Sequence, residues 1–293
     1  MGNQEQVLQR MVEDIRLRGL SPKTQRAYVS YARIFLEFCH GPVHDLDEKD
    51  IRRFLSYLIH QKKLSPRSVN VYSASIRFLF AVTLNRTLNY LQIPRQKERK
   101  TLPEVLTKEE VLSVLQSCRN IKHRAILMLI YSSGLRVSEA AALKIQHIDS
   151  KNMRVFVQAG KGGKDRYTLL SMACLRVLRE YWKAYRPNHP EGWLFPGTSQ
   201  SSHITSRGIC YAFHKAVQKA QITKRVSIHK LRHSFATHLL EDGATLLQIK
   251  ELLGHANIQS TTIYLHLANT TGGIISPLDT FPATLSTEKA SYA

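Results

Sequence analysis

Six side chains between positions 136 and 264 of the sequence have the chemical types that handle a phosphate group. An arginine binds two phosphate oxygens at once, while a histidine adds a hydrogen bond or moves a proton. A tyrosine phenol becomes a nucleophile when a base and positive charge lie close to it. The six residues are Arg136, Lys161, His229, Arg232, His255 and Tyr264.

The first of these residues lies in the stretch Ser133-Gly-Leu-Arg-Val-Ser-Glu139. Arg136 follows Gly134 and opens a short predicted helix, where backbone N–H groups are aimed at an anion. A plainer interpretation is a surface arginine paired with Glu139, three residues further on. Position alone does not decide between the two.

His229 and Arg232 lie three residues apart, so on a helix they point the same way and suit a phosphate better than a core. A zinc site is the alternative, with His229 and His233 at i and i+4 and His255 as a third ligand. The H-E-x-x-H pattern is incomplete, because Lys230 stands where its glutamate belongs. This favours the phosphate.

Lys161 lies in a glycine-rich turn, Gly160-Lys-Gly-Gly-Lys164, followed by Arg166. The turn is predicted to join two strands and lacks the G-x-x-x-x-G-K-[ST] spacing, which argues against a nucleotide-binding P-loop. We expect a mobile hairpin whose cations reach into a DNA groove, the alternative being an exposed charged turn. Tyr264, nine positions after His255, is by itself compatible with ordinary core or surface packing.

The elements that must position these residues begin after a separate helical region. Apolar residues at helical spacing, with Ser21-Pro22 and Ser65-Pro66 as helix starts and Gly19 as a helix end, predict a bundle of four or five helices over residues 1–90. Residues 91–106 contain two prolines and a charge cluster without periodicity, which indicates a linker.

A second domain is predicted over residues 107–270, opening with the capping box Thr107-Lys-Glu-Glu110. Helices alternate there with two strands, Met153–Gln158 and Tyr167–Leu170, and later helices are predicted near 204–219, 229–241, 244–253 and 257–268. Residues 271–293 are interpreted as an irregular tail. The fold class is therefore mainly α with a small β-sheet.

Charge is distributed unevenly along the 293 residues, which carry 42 Lys and Arg against 22 Asp and Glu. Residues 1–100 hold 18 basic and 9 acidic side chains, residues 101–240 hold 22 and 8, and residues 241–293 hold 2 and 5. Two basic domains indicate a partner long enough to touch both, and a nucleic-acid duplex fits better than a membrane surface.

The sequence also argues against several other classes of protein. No apolar run approaches the roughly 20 residues of a membrane span, and no signal peptide is recognisable, so a cytoplasmic protein is expected. The four cysteines, Cys39, Cys118, Cys174 and Cys210, lie far apart, which predicts free thiols in a reducing compartment.

Taken together, the motifs resemble those of the tyrosine recombinase (phage integrase) family, with the closest likeness to Xer-type and integron-type integrases. The elements occur in order over residues 107–268: Gly134-Leu-Arg136, the Lys161 hairpin, His229-Lys-Leu-Arg-His233, Leu253-Gly-His255 and Tyr264. Ser133 stands where the family commonly has threonine. The resemblance implies an N-terminal helical core-binding (SAM-like) domain and a C-terminal α+β catalytic domain.

The resemblance also implies a role for each residue. Tyr264 would attack a phosphodiester and form a 3′-phosphotyrosine, while Arg136 and Arg232 stabilise the transition state. Lys161 would protonate the departing 5′ oxygen, His229 would assist proton transfer at the tyrosine, and His255 would hydrogen-bond the phosphate. Glu139 would hold Arg136.

The expected function is site-specific recombination of double-stranded DNA by four copies of the chain, at a core site with inverted repeats in the nucleoid. No cofactor is expected, neither metal nor ATP, because cationic side chains replace Mg²⁺ and the covalent link retains the bond energy. Two alternatives remain at this point: a type IB topoisomerase-like enzyme, and a catalytically silent DNA-binding protein. The compact two-domain size and the intact catalytic set favour the recombinase.

Overall fold

The computed structural model describes residues 2–89, 93–98, 104–158, 165–198, 202–255 and 257–267. The chain divides into two compact units, Met1–Thr101 and Leu102–Ala293. The expected fold class is confirmed, since helices predominate and the strands form one three-stranded sheet. Within the described residues, no helix is both long and apolar enough to cross a membrane.

The first unit is built from four helices, and capping side chains fix the starts of the last three. Ser21, Asp47 and Ser65 each accept a hydrogen bond from the backbone N–H groups that open the following helix. Gly19 adopts the left-handed conformation after the first helix, as its sequence position predicts. The helices are α1 (Gly2–Leu17), α2 (Pro22–Cys39), α3 (Glu48–His60) and α4 (Pro66–Phe78), which continues into a π-helical turn, Leu79–Thr83.

The apolar faces of these helices form one core. Aromatic rings fill its centre, where Phe35 contacts Phe54 edge-on at 5.4 Å between ring centroids. Further buried residues of this core include Leu8, Met11, Ile15, Ile51, Ile76 and Phe80. The predicted bundle is thus a packed unit with its own hydrophobic core.

The segment 93–98 of the predicted linker packs on the first unit. Ile93 is buried in that unit's core, and its carbonyl accepts a hydrogen bond from Arg77. The amide of Asn70 bonds both backbone groups of Gln96, at 2.9 and 2.8 Å. At the other end of the stretch, Leu106 is buried in the core of the second unit. Only part of this stretch can therefore act as a connector.

The second unit contains seven α-helices among its described residues. The capping box at Thr107 is present and opens the first of them, as predicted. The helices are α5 (Lys108–Ser117), α6 (Ile121–Ser132), α7 (Val137–Ala141), α8 (Met172–Tyr185), α9 (Ser206–Lys219), α10 (His229–Glu241) and α11 (Leu246–Leu253). A short 3₁₀ helix, Ile145–His147, follows α7.

One predicted helix is wrong. Residues 257–268 do not form an α-helix in the described part; two 3₁₀ helices, Ile258–Ser260 and Thr262–His266, occupy 257–267 instead. The run Thr261-Thr262-Ile263 consists of β-branched residues, which lose side-chain freedom in an α-helix. The Asn257 side chain accepts a hydrogen bond from the N–H of Gln259, a local contact that competes with helix formation.

The sheet is antiparallel, with its three strands in chain order. They are β1 (Ile148–Asp149), β2 (Arg154–Val157) and β3 (Arg166–Leu169), and Val155 pairs with Thr168 in the register. The two longer strands were predicted, whereas β1, at two residues, is too short to show alternation. All four cysteines are free thiols, as expected.

Candidate active site

Arg136 is positioned by a sharp turn between α6 and α7. Gly134 has φ +60°, and a Cβ there would lie 2.5 Å from the ring of Phe235, so only glycine fits. The turn makes Arg136 the N-cap of α7. Its Nη1 donates to Oε1 of Glu139 at 2.6 Å, and its backbone N–H donates to Oε2 at 2.8 Å. The predicted contact between Glu139 and Arg136 is therefore present.

Arg232 comes from α10 and is almost fully enclosed, with 5% of its surface exposed. Its Nη1 donates to the carbonyl of Gly134 at 2.5 Å, and its Nη2 donates to the carbonyl of Leu253 at 2.7 Å. Burial, and then repulsion from Arg136, lower the pKa of this guanidinium to about 10, so it stays charged at neutral pH. A buried cation thus joins the turn before Arg136 to the end of α11.

Arg166 has a place that the sequence did not reveal. We expected it to reach into a DNA groove with the hairpin, but its side chain is only 8% exposed and points into the protein. Its two terminal nitrogens donate to the two carboxylate oxygens of Glu139 at 3.0 and 2.8 Å. The expectation was wrong because Arg166 is the first residue of strand β3 and is not part of the turn. Its side chain therefore packs inward with the strand.

Glu139 therefore lies among three arginines. Besides its bonds to Arg136 and Arg166, its Oε2 is 3.8 Å from Nη1 of Arg232. Burial acts to raise the pKa of this carboxyl, but the hydrogen bonds from Arg166 and Arg136 outweigh it and lower the pKa to about 2. One carboxylate against three guanidinium groups leaves a positive surplus, which an anion would balance.

His255 follows the glycine that ends α11. Gly254 has φ +64°, and a Cβ on it would lie 2.8 Å from Cδ of Arg166. Nδ1 of His255 lies 3.0 Å from the hydroxyl of Thr261. Burial, and then the charges of Arg232 and Arg136, lower the pKa of His255 to about 4, so the ring is neutral at pH 7.

Tyr264 lies in the 3₁₀ helix that follows and is 1% exposed. It packs in a small apolar cluster with Phe235, Ile249 and Leu253. Its hydroxyl is 3.2 Å from Nδ1 of His233. Burial raises the pKa of the phenol, against the opposing effect of Arg232 and Arg136.

His233, the histidine within hydrogen-bonding distance of the Tyr264 hydroxyl, was not in our predicted catalytic set. It is one position beyond Arg232 and one helical turn beyond His229, so only its membership in the His229-Lys-Leu-Arg-His233 motif signalled it. Burial is the main cause that lowers the pKa of His233 to about 4. His229 itself is exposed, at the first residue of α10, whereas Arg232 is buried.

The remaining predicted residue, Lys161, lies outside the described residues. Arg136, Arg232, His255 and Tyr264 are brought into one cluster. Arg136 and Arg232 lie against the same carboxylate, Glu139, and the ring centroids of His255 and Tyr264 are 6.5 Å apart. Arg232 joins the two pairs through the carbonyl of Leu253, two residues before His255. No group of three metal-binding side chains occurs among the residues that the structure describes. Nδ1 of His233 contacts the hydroxyl of Tyr264, and Nδ1 of His255 contacts the hydroxyl of Thr261.

This arrangement suits nucleophilic attack on an anionic ester. The cations are held rigidly by protein carbonyls and one carboxylate, so they can stabilise charge that develops on phosphate oxygens without rearranging. The phenol beside them has a neutral histidine within hydrogen-bonding distance. A phosphodiester satisfies both the charge and the chemistry of the cluster.

Comparison with known proteins gives matches over both units. The sequence model of the phage integrase family matches residues 104–271, and that of the phage integrase N-terminal SAM-like domain matches residues 7–90. The protein y4qK of Sinorhizobium fredii is 40% identical, over 94% of this chain and 89% of its own. Tyrosine recombinase XerA of Thermococcus kodakarensis is 35% identical, over 90% of this chain and 92% of its own.

Solved structures extend the likeness to the fold. A crystal structure of a lambda integrase dimer bound to a COC' core site has a TM-score of 0.72 at 19% identity and covers 93% of this chain and 79% of that one. A structure of XerH recombinase bound to palindromic difH substrate, a post-cleavage complex, has a TM-score of 0.70 at 22% identity, with 87% and 79% covered. The chain therefore shares their fold.

Proposed function

Because the chain belongs to the phage integrase family of tyrosine recombinases, we propose that it cuts and rejoins double-stranded DNA through a covalent bond between Tyr264 and a 3′ phosphate. It is an enzyme of DNA strand cleavage and rejoining, and its reaction is site-specific recombination. The assignment of individual residues to steps of that reaction is the proposal.

The cleavage step is a transesterification. The phenol oxygen of Tyr264 forms a bond to phosphorus while the bond from phosphorus to the 5′ oxygen breaks. His229 assists removal of the phenol proton, and Lys161 gives a proton to the departing 5′ oxygen. Attack by a 5′ hydroxyl from another strand reverses the step and releases the tyrosine.

The phosphate is held by Arg136 and Arg232, with a further hydrogen bond from His255. Attack places additional negative charge on the non-bridging oxygens, and fixed guanidinium groups stabilise it. These cations supply the charge that Mg²⁺ supplies elsewhere, and the phosphotyrosine conserves the ester bond. The proposed reaction therefore needs neither metal nor ATP.

A single observation carries this assignment. Arg232 and His233 are consecutive residues of α10; the arginine is anchored on the carbonyls of Gly134 and Leu253, and the histidine contacts the hydroxyl of Tyr264. One rigid helix therefore relates the phosphate-binding cation to the nucleophile. A silent DNA-binding protein has no need of a phenol in that place.

The assembly on DNA is proposed by analogy with the structural neighbours. A lambda integrase tetramer has been solved on a Holliday junction, and XerH on a palindromic substrate. We expect four copies of this chain to act on paired sites with inverted repeats in the nucleoid. The excess of basic residues in 1–240 supplies a sequence-independent grip on phosphates, so DNA binding should weaken steeply with salt.

The test uses a nicked suicide substrate from the protein's own element. Cleavage beside the nick releases a short fragment that carries the 5′ hydroxyl, and its loss by diffusion prevents religation and traps the covalent complex. Wild type should form a complex that denaturing gels resolve, and Tyr264→Phe should form none. Tyr185→Phe, an exposed tyrosine on α8, is the matched control and should behave as wild type. A complex that survives Tyr264→Phe would exclude this nucleophile.

A second arm separates recombination from topoisomerase-like resealing. Two duplexes of different length, each carrying the site, should yield joined products whose lengths combine both parents. Relaxation of one supercoiled circle without joined products would instead favour the nicking and resealing enzyme.

A further inference from the structure

Arg166 has all of its described hydrogen bonds inside the protein. Nη1 and Nη2 donate to Glu139, and Nε donates to the carbonyl of Leu252 at 2.9 Å. Its side chain is 8% exposed, whereas that of Arg136 is 20% exposed and has one described side-chain bond, from Nη1 to Glu139. All three nitrogens of the Arg166 guanidinium thus donate to protein acceptors, while Arg136 keeps more of its donors for a ligand.

Glu139 transmits the position of Arg166 to Arg136. Each carboxylate oxygen accepts one hydrogen bond from Arg166 and one from Arg136: Oε1 from the side chain of Arg136, and Oε2 from its backbone N–H. A bidentate pair fixes both the distance and the plane of the carboxylate. The orientation of the Arg136 guanidinium therefore depends on Arg166.

The same arginine reaches the other side of the site. The carbonyl of Leu252 accepts from Arg166, and the next carbonyl, that of Leu253, accepts from Arg232. Gly254 follows directly and lies so close to Arg166 that it has no room for a Cβ. Arg166 therefore sets where α11 ends, and with it one of the two anchors of Arg232.

Repulsion between the cations makes this restraint necessary. Burial is the main cause that lowers the pKa of Arg232; the like charges of Arg136 and Arg166 lower it further, and Glu139 opposes them. Without a fixed carboxylate, the two phosphate-binding guanidinium groups would move apart. Lysine cannot replace Arg166, because a single ammonium cannot donate in a plane to two carboxylate oxygens and also to a carbonyl.

We propose that Arg166 is a positioning residue: acting through Glu139 and the Leu252 carbonyl, it fixes the spacing of Arg136 and Arg232 on the two non-bridging oxygens of the scissile phosphate. This inference rests on the proposed function, because it presupposes cleavage at that site. A displacement of about 1 Å in such a site slows a reaction about 100-fold.

The experiment measures first-turnover cleavage on two nicked substrates with protein in excess. One carries the normal scissile phosphodiester, and the other carries a methyl group in place of one non-bridging oxygen. This substrate is uncharged at the phosphorus centre, so its cleavage rate should depend less on the spacing of the two arginines. For each variant, the ratio of the two rates comes from one preparation, so the fraction of folded protein cancels.

For Arg166→Gln, we expect phosphodiester cleavage to slow about 10- to 100-fold. The rate on the methyl substrate should change much less, so the ratio falls by a similar factor. Glu139→Gln should lower the ratio in the same way. Arg154→Gln removes an exposed arginine from the neighbouring strand β2 and should keep the wild-type ratio.

Two results would overturn the inference while leaving the proposed function intact. Wild type would cleave, but Arg166→Gln would either cleave both substrates at wild-type rates or lose the same factor on both. The second pattern is that of a residue needed for folding alone. Absence of any cleavage by wild type would instead contradict the proposed function itself.

Discussion

Nδ1 of His233 lies 3.2 Å from the hydroxyl oxygen of Tyr264, so the helix that carries the buried Arg232 also holds the proposed nucleophile. The pKa of His233 is about 4, which leaves it neutral at pH 7 but makes it a weak base. A general base works best when its pKa is near the working pH. The contact therefore suits holding the phenol better than ionising it.

This difference predicts unequal effects of two histidine substitutions. His233→Gln retains a hydrogen-bonding side chain and should slow first-turnover cleavage by less than about 10-fold. His229→Gln should slow it by about 100-fold or more, the usual contribution of a proton-transfer group. Covalent-complex formation at pH 7 measures both rates. The opposite order would assign proton transfer to His233.

The two arginines proposed to bind the phosphate should differ in what they contribute to stability. Arg232→Lys leaves one ammonium to serve the carbonyls of Gly134 and Leu253, and should lower the free energy of unfolding by about 2 to 4 kcal/mol. Arg136→Lys leaves Glu139 its bidentate partner Arg166 and should cost less than about 1 kcal/mol. Urea titrations measure both values.

Cleavage should respond alike in these two variants, falling about 10²- to 10³-fold, because each loses an oriented donor to the phosphate. Equal stability losses in the two variants would contradict the buried anchoring of Arg232. Normal cleavage by either one would contradict its place at the phosphate.

Much of this fold was predictable because local signals agree with it. Ser21, Ser65 and Thr107 begin helices at the positions that capping chemistry predicts, and the two longer strands lie within one residue or so of their predicted ranges. The prediction of a helix from Asn257 was wrong because it rested on the spacing of apolar residues. The β-branched residues and local side-chain hydrogen bonds of this segment favour 3₁₀ turns instead.

The site was predictable only as a set of residues in order. The order of the motifs along the chain identifies Arg136, Arg232, His255 and Tyr264, and the structure places these four residues in one cluster. The inward direction of Arg166 was not predictable, since 27 positions separate it from Glu139 and no local pattern links them. Contacts between distant segments depend on packing, which spacing does not encode.

The low pKa values of His233 and His255 predict that the protein loses stability in acid. Both are about 4 in the folded state, below the ordinary value of about 6.5, so the unfolded chain binds more protons between these limits. The free energy of unfolding should therefore have its full value above about pH 6.5 and decrease as the pH drops towards about 4.

His255→Asn checks the cause of this loss, because asparagine can still bond Thr261 but does not titrate. The variant should lose less stability than wild type between pH 7 and pH 5, with proton uptake on unfolding reduced by up to about one. His214→Asn, an exposed histidine on α9, is the matched control and should follow wild type. Parallel curves for wild type and His255→Asn would exclude His255 as a source.

Two glycines with positive φ provide a test of the packing over Arg166. Gly254 (φ +64°) and Gly243 (φ +93°) should both be strained by alanine, at about 1 kcal/mol each. A Cβ at Gly254 would also lie 2.8 Å from Cδ of Arg166, whereas nothing lies within 4 Å of one at Gly243. Gly254→Ala should therefore cost a further 1 to 3 kcal/mol or so, the usual effect of overpacking.

Displacement of Arg166 should also reach the reaction through Glu139 and the Leu252 carbonyl. We expect Gly254→Ala to slow first-turnover cleavage by about 10-fold or more, and Gly243→Ala to leave it near the wild-type rate. Melting curves and covalent-complex formation on the same preparations separate the two effects. If both variants cleaved at one rate, the strain at positive φ would be the whole effect, and the contact between Gly254 and Arg166 would have no part in catalysis.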